Sequence, residues 1–310
     1  MEQTTNTILM IRPANFRMNE ETAVNNYFQV DLDLSDSEIN AKAQEEFDDF
    51  VAKLREVGVH VIVEDDLETN NAPDSIFPNN WVSFHENGNV GLYPMFAVNR
   101  RRERREDILD RLEAEGFIIQ NIMDYTGAEE DDIFLEGTGS IVLDRVNRKA
   151  YCALSPRADE ELFIEFCEDF EYTPILFTAY QTVEGERLVI YHTNVMMCLG
   201  ENFAVICLDS IDDKKERKNV IHHLREDGKE IIDITEPQMH QFAGNMLQVK
   251  GFNGQPILVM SKVAHDSLTP AQIAKIEKYC KILWSDLSTI EACGGGSARC
   301  MMAEVFLPNG

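Results

Sequence analysis

The stretch GGGSARCMMAEVF, residues 294–306, carries three glycines into Ser297, Ala298, Arg299 and Cys300 and then into an apolar run. It reads as a glycine turn feeding a short strand. A free cysteine at that junction is either a small core side chain or a presented nucleophile. The choice turns on whether the chain repeats the construction elsewhere, and it does. FPNNWVSFH, EGTGSIVLD, IYHTNVMMCLG and AGNMLQVKG each lead a polar or glycine-containing segment into a β-rich run. The junction residues Asn80, Glu136, His192, Asn245 and Cys300 are separated by 56, 56, 53 and 55 positions. A near-constant spacing of this length marks a repeat architecture.

Helical patterns fill the intervals. Ser35 and Glu38 have the spacing of a capping box before a helix to about Val57, whose apolar residues Ile39, Ala43, Phe47, Val51 and Leu54 recur at helical spacing. Further helices are expected over 100–115, 158–170, 212–226 and 270–283, the last opening on Thr269-Pro270, an N-cap followed by proline. Each helix is followed by a β-rich run: VHVIVED, FIIQNIM, YTPILFTAY, KEIIDIT and KILWSDL. The expected fold is therefore α/β, one domain over 1–310 built of five αβ modules. Closed into a ring, such modules bring their five junction side chains together on its axis.

The 310 residues are 44% apolar and 27% charged, ordinary globular proportions. No run approaches the roughly 20 apolar residues of a membrane span. The start, MEQTTNTILMIRP, lacks a basic region followed by a long apolar run, so no secretory signal is expected. The seven cysteines, irregularly spaced, are expected as free thiols in a reducing, cytoplasmic setting. With no CxxC or HxxxH spacing, no metal is expected. A net charge of −27 makes nucleic acid a poor partner and suits cationic or zwitterionic small molecules. The basic cluster NRRRERRED, 99–107, interleaves glutamates and reads mostly as a solvated helix face.

The series itself holds chemistry. A thiolate attacks, a nearby imidazole moves protons, and a carboxylate orients the imidazole. Cys300, His192 and Glu136 supply those groups in one register, which independent core residues have no reason to share. Asn245 has no role in that scheme.

FPNNW, LEGTGS, YHTN and GGGSARCMM, in this order, resemble the amidinotransferase or pentein superfamily, which includes arginine deiminases, dimethylargininases and glycine amidinotransferases. The resemblance spans nearly the whole chain. It implies a five-bladed α/β propeller with pseudo-fivefold symmetry and a covalent thiol mechanism without cofactor. Cys300, His192 and Glu136 fall on the family's nucleophile, acid/base and orienting carboxylate. Two positions depart from it. Where arginine deiminases carry aspartates that grip the guanidinium, this chain has Asn80 and Asn194. A guanidinium offers only N–H donors and positive charge, which suits carboxylates. A ureido group is neutral and carries a carbonyl, which an amide can serve with its NH₂. Citrulline is thus the expected substrate, hydrolysed to ornithine, carbon dioxide and ammonia, as in the superfamily's citrulline-utilising hydrolases.

By the same resemblance Arg100 is expected on the substrate α-carboxylate and Asp74 on its α-ammonium. DYTGAEEDDIF, 124–134, is a candidate lid. An arginine deiminase or dimethylargininase is the rival within enzymes, with Asp74 supplying the missing charge. A non-catalytic binding module is the rival outside them, since some pentein-fold proteins are ribosome-binding factors. The expected partner is a small ureido or guanidino amino acid, with a homo-oligomer compatible.

Overall fold

In a computed structural model, which describes residues 2–310, the strands form five three-stranded sheets and one two-stranded ribbon. The five sheets share one construction. In the first, Val82–Phe84 runs antiparallel to Asn89–Leu92, which pairs in parallel with Asn121–Asp124. The same order recurs in Ile141–Asp144, Lys149–Ala153 and Thr173–Phe177. It returns in Met197–Leu199, Phe203–Ile206 and Glu230–Asp233, and again in Leu247–Lys250, Pro256–Ser261 and Lys281–Ser285. An antiparallel pair needs only a tight turn, whereas a parallel pair needs a crossover. The crossovers are the helices Glu106–Ala114, Glu160–Asp169, Lys214–Glu226 and Pro270–Glu277.

The fifth sheet joins the two ends of the chain. Ala303–Glu304 pairs antiparallel with Thr7–Arg12, Leu9 opposite Ala303, and Thr7–Arg12 pairs in parallel with His60–Asp65 across the helix Asp36–Glu56. That helix begins with the expected capping box between Ser35 and Glu38. It buries Ile39, Ala43, Phe47, Phe50, Val51 and Leu54, an apolar stripe facing the core. Thr269 caps Pro270–Glu277 in the same manner.

Two helices differ from expectation. The 100–115 pattern splits into a 3₁₀ segment, Val98–Glu103, and an α-helix, Glu106–Ala114, because Arg104 and Arg105 are extended. Their guanidinium groups are drawn to Glu129 and to Asp107. The helix expected over 270–283 ends at Glu277, leaving Lys281–Ser285 to the sheet. Among the described residues no helix is long and apolar enough to cross a membrane.

Candidate active site

Each junction residue sits just ahead of the first strand of a sheet. Asn80 ends the 3₁₀ turn Pro78–Asn80, Glu136 precedes the turn Gly137–Ser140, and His192 precedes Thr193–Met196. Asn245 and Cys300 stand two and three residues before Leu247 and Ala303. All five are buried, Cys300 at 3% exposure and His192 at 2%. One small pocket brings Cys300 together with His192, Asn80, Asp74, Arg100, Arg157 and Tyr191.

His192 Nε2 and Glu136 Oε2 are 2.7 Å apart, and the main-chain N–H of Phe96 donates to Glu136 Oε1 at 3.0 Å. Burial pushes the Glu136 carboxyl up, but the positive charge of Arg157, the His192 hydrogen bond and Arg100 outweigh it. The group therefore titrates well below the usual carboxylate range. Burial, against the pull of Glu136, takes His192 down to about 4. At neutral pH the pair is thus a carboxylate and a neutral imidazole. Nε2–H donates to Glu136, and Nδ1 keeps its lone pair for proton transfer. Gly139 makes room for this ring: a Cβ there would overlap Asn80 Nδ2 and lie 2.8 Å from His192 Nδ1.

Asn80 is oriented by its neighbour. Arg100 Nη1 donates to Asn80 Oδ1 at 2.9 Å, and because a guanidinium only donates, the amide oxygen must face it. That leaves Asn80 Nδ2 as a buried donor without a partner, on the side of Gly139 and His192 Nδ1. Arg100 is itself held in place. Its fork is held by Glu103, with Nε to Oε1 at 2.8 Å and Nη2 to Oε2 at 2.9 Å, and the main-chain oxygen of Phe77 takes a further bond. Burial works against its charge, yet Glu103, Asp74 and Glu136 hold it protonated. Held in this way, Arg100 fixes the Asn80 amide while it lines the same pocket. Within the basic cluster Arg100 and Glu103 are buried, whereas Arg102, Glu106 and Asp107 are exposed.

Asn194 lies on the other side of Cys300. It does not line the pocket with Asn80. Its Nδ2 donates to Cys300 Sγ at 3.5 Å, and the residue borders a second cavity with Thr138, Met246 and Arg299. Asp74 does line the pocket. Asn19 Nδ2 donates to its Oδ2 at 2.7 Å, its Oδ1 is buried without a partner, and burial raises its pKa against the pull of Arg100.

Sequence reasoning missed Arg157 and the segment that covers the site. Arg157 is 1% exposed and lies 4.9 Å from the Tyr191 ring, with Nη1 3.6 Å from Glu136 Oε2. A lone arginine in SPR, just ahead of a helix in so acidic a chain, was the available signal. The stretch 124–134 is not the cover. It folds as the 3₁₀ segment Thr126–Asp131, tied down through Glu129 to Arg104 and Met95. Contacts to the site come instead from residues 19–30. Asn25 and Thr22 accept from Arg157, Asn26 Nδ2 donates to the Gly294 oxygen at 3.2 Å, and Gln29 Nε2 donates to the Cys293 oxygen at 3.0 Å. Gly295, at φ +60°, turns the chain beneath this cover, and Tyr191 Oη donates to its carbonyl at 2.6 Å. Among the described residues no group of three or more His, Cys, Asp or Glu side chains is placed to hold a metal ion.

Residues 12–307 match the family described as N,N dimethylarginine dimethylhydrolase, eukaryotic. The chain belongs to that family. With it the chain belongs to the pentein amidinotransferase superfamily. No curated protein matches. Among solved structures, the fold is similar to ArgZ, an arginine dihydrolase from the ornithine–ammonia cycle in cyanobacteria. The TM-score is 0.72 at 17% identity, over 98% of this chain and 41% of that one. The chain thus spans less than half the length of that relative. The N-terminal domain of ArgZ, covalently bound to a reaction intermediate, gives a TM-score of 0.69 at 18% identity, with 97% and 99% covered. A dimethylarginine dimethylaminohydrolase variant in adduct with S-methyl-L-thiocitrulline gives 0.62 at 15%, with 97% and 99% covered. At these identities the likeness shows a shared mixed α/β fold.

Proposed function

We propose that this dimethylarginine dimethylhydrolase family member is a cysteine hydrolase of a ureido amino acid, with citrulline giving ornithine, carbon dioxide and ammonia. The five sheets are read as the blades of one pentein propeller over 1–310, its site on the axis. The observation that carries the substrate is the orientation of Asn80. Arg100 fixes its oxygen, so the group it offers the site is an NH₂ donor. A ureido oxygen accepts from that donor. A guanidinium has no acceptor there and leaves the amide unsatisfied.

The steps follow from the residues. His192 Nδ1 takes the Cys300 thiol proton, and Sγ bonds to the ureido carbon while Asn80 Nδ2 donates to the developing oxyanion. His192 returns the proton to the ornithine nitrogen as its bond to carbon breaks, which leaves a carbamoyl thioester. Water, losing a proton to His192, attacks that carbon, and the C–S bond breaks to regenerate Cys300. Carbamate then takes up a proton and decomposes to ammonia and carbon dioxide. Glu136 holds the imidazole in the required tautomer throughout. Asp74 is the reading's partner for the α-ammonium.

A second reading, an arginine or dimethylarginine amidinohydrolase, has the family's own name and the free Oδ1 of Asp74 in its favour. Acid quenching during turnover separates the two readings. Intact mass spectrometry is expected to find one carbamoyl group on Cys300 after citrulline. A thiouronium adduct from arginine that keeps the amino-acid chain after loss of ammonia, with no adduct from citrulline, would replace the first reading by the second.

A further inference from the structure

We infer that Asn245 is a catalytic residue, whose side-chain amide donates to the Cys300 sulfur to favour the thiolate and aim it at the substrate carbon. The inference rests on the reading of Cys300 as nucleophile, and it is independent of which substrate is turned over.

Every polar atom of this amide is engaged. Asn245 is fully buried. Its Oδ1 accepts the main-chain N–H of Arg299 at 3.0 Å, and its Nδ2 donates to the Asn194 carbonyl at 3.0 Å and to Cys300 Sγ at 3.2 Å. Turning the amide over would set an oxygen against a carbonyl oxygen and a sulfur, and an NH₂ against an N–H. Its orientation is therefore fixed by its partners, with a donor on the sulfur. The anchor is well chosen: Arg299 is the residue next to Cys300, and the Cys300 N–H closes the same turn onto the Ser297 oxygen at 3.0 Å. One side chain thus ties the turn that carries the nucleophile to the segment that carries His192 and Asn194. The Asn194 amide reaches the same sulfur at the longer distance of 3.5 Å.

A donor aimed at sulfur is matched to the anion, because hydrogen bonds to a charged acceptor are stronger than those to a neutral one. The other titratable or charged groups around the sulfur are Tyr191 and His192 ahead of the Thr193–Met196 turn, Arg299 beside it in the chain, and Asp74, Arg100 and Arg157 across the pocket. Among the described residues none of these hydrogen-bonds Sγ, whereas the two asparagine amides do.

The test is the pH dependence of Cys300 alkylation by iodoacetamide, followed by intact mass against a Cys300→Ala background, without any substrate. Asn245→Ala is expected to slow alkylation at pH 7 by about 10-fold and to move the profile up by about one pH unit. Asn245→Asp keeps the Arg299 contact but turns an acceptor toward the sulfur, so its profile should move further. A residue that served only as a strut would lower the melting temperature and leave the profile where it is in the wild type. That outcome, in whichever variant folds, overturns the inference while leaving Cys300 as nucleophile. A wild-type Cys300 that resists alkylation throughout overturns both.

Discussion

Alanine at position 300 should lower ornithine formation from citrulline by on the order of 10⁴-fold or more, with the melting temperature close to that of the wild type. The size follows from the covalent route. Without the thiol there is no sulfur to bond to the ureido carbon, and the residual rate is whatever Asn80 and the bound geometry give to direct attack by water. Stability should change little because the substitution removes a single sulfur atom from a site that already borders a pocket. Steady-state assay of ornithine together with thermal melting reads both halves of this expectation. A Cys300→Ala protein that is folded and still within 10-fold of the wild-type rate would rule out nucleophilic catalysis by this residue.

Asn80→Asp is the second large effect, and its sign depends on the substrate. The new carboxylate keeps an acceptor for Arg100 Nη1, where Asn80 Oδ1 now receives a bond at 2.9 Å. Its other oxygen replaces the NH₂ that faces the site. Against a ureido carbonyl this sets oxygen against oxygen and leaves a buried negative charge poorly served. The kcat/KM for citrulline is expected to fall at least about 100-fold. Against a guanidinium the same change supplies an anionic acceptor, so the ratio of arginine to citrulline turnover should rise. Rates measured on both compounds with both proteins give that ratio directly. An unchanged citrulline rate would mean that Asn80 does not serve the ureido oxygen.

The junction series was legible because it depends on spacing alone: Asn80, Glu136, His192, Asn245 and Cys300 keep one register, and each leads into the first strand of a sheet. The caps at Ser35 and Thr269 were legible for a similar reason, since they are local. What stayed hidden depends on which partner a side chain faces. Arg100 and Glu103 look like any i, i+3 surface pair in a basic cluster, yet the fold buries both and makes Arg100 the group that orients Asn80. Asn80 and Asn194 looked equivalent as substitutes for two aspartates. In the structure one lines the pocket and the other touches the sulfur from beside a second cavity. The cover formed by residues 19–30 has only a four-residue helix, Glu20–Ala23, and no periodicity to betray it. Its hydrogen bonds to Arg157 and Gly294 join residues more than 100 positions apart. Asn245 had a register but no visible chemistry until its distance to the sulfur was known.

The most direct measurement is product identification by mass spectrometry after purified protein is incubated separately with citrulline, arginine and dimethylarginine. Ornithine and ammonia from citrulline, with the other two compounds returned unchanged, is the result expected of a pocket whose fixed donor at Asn80 serves a carbonyl. Citrulline formed from arginine or dimethylarginine, with citrulline itself untouched, would contradict the ureido assignment while leaving the thiol chemistry of Cys300, His192 and Glu136 in place.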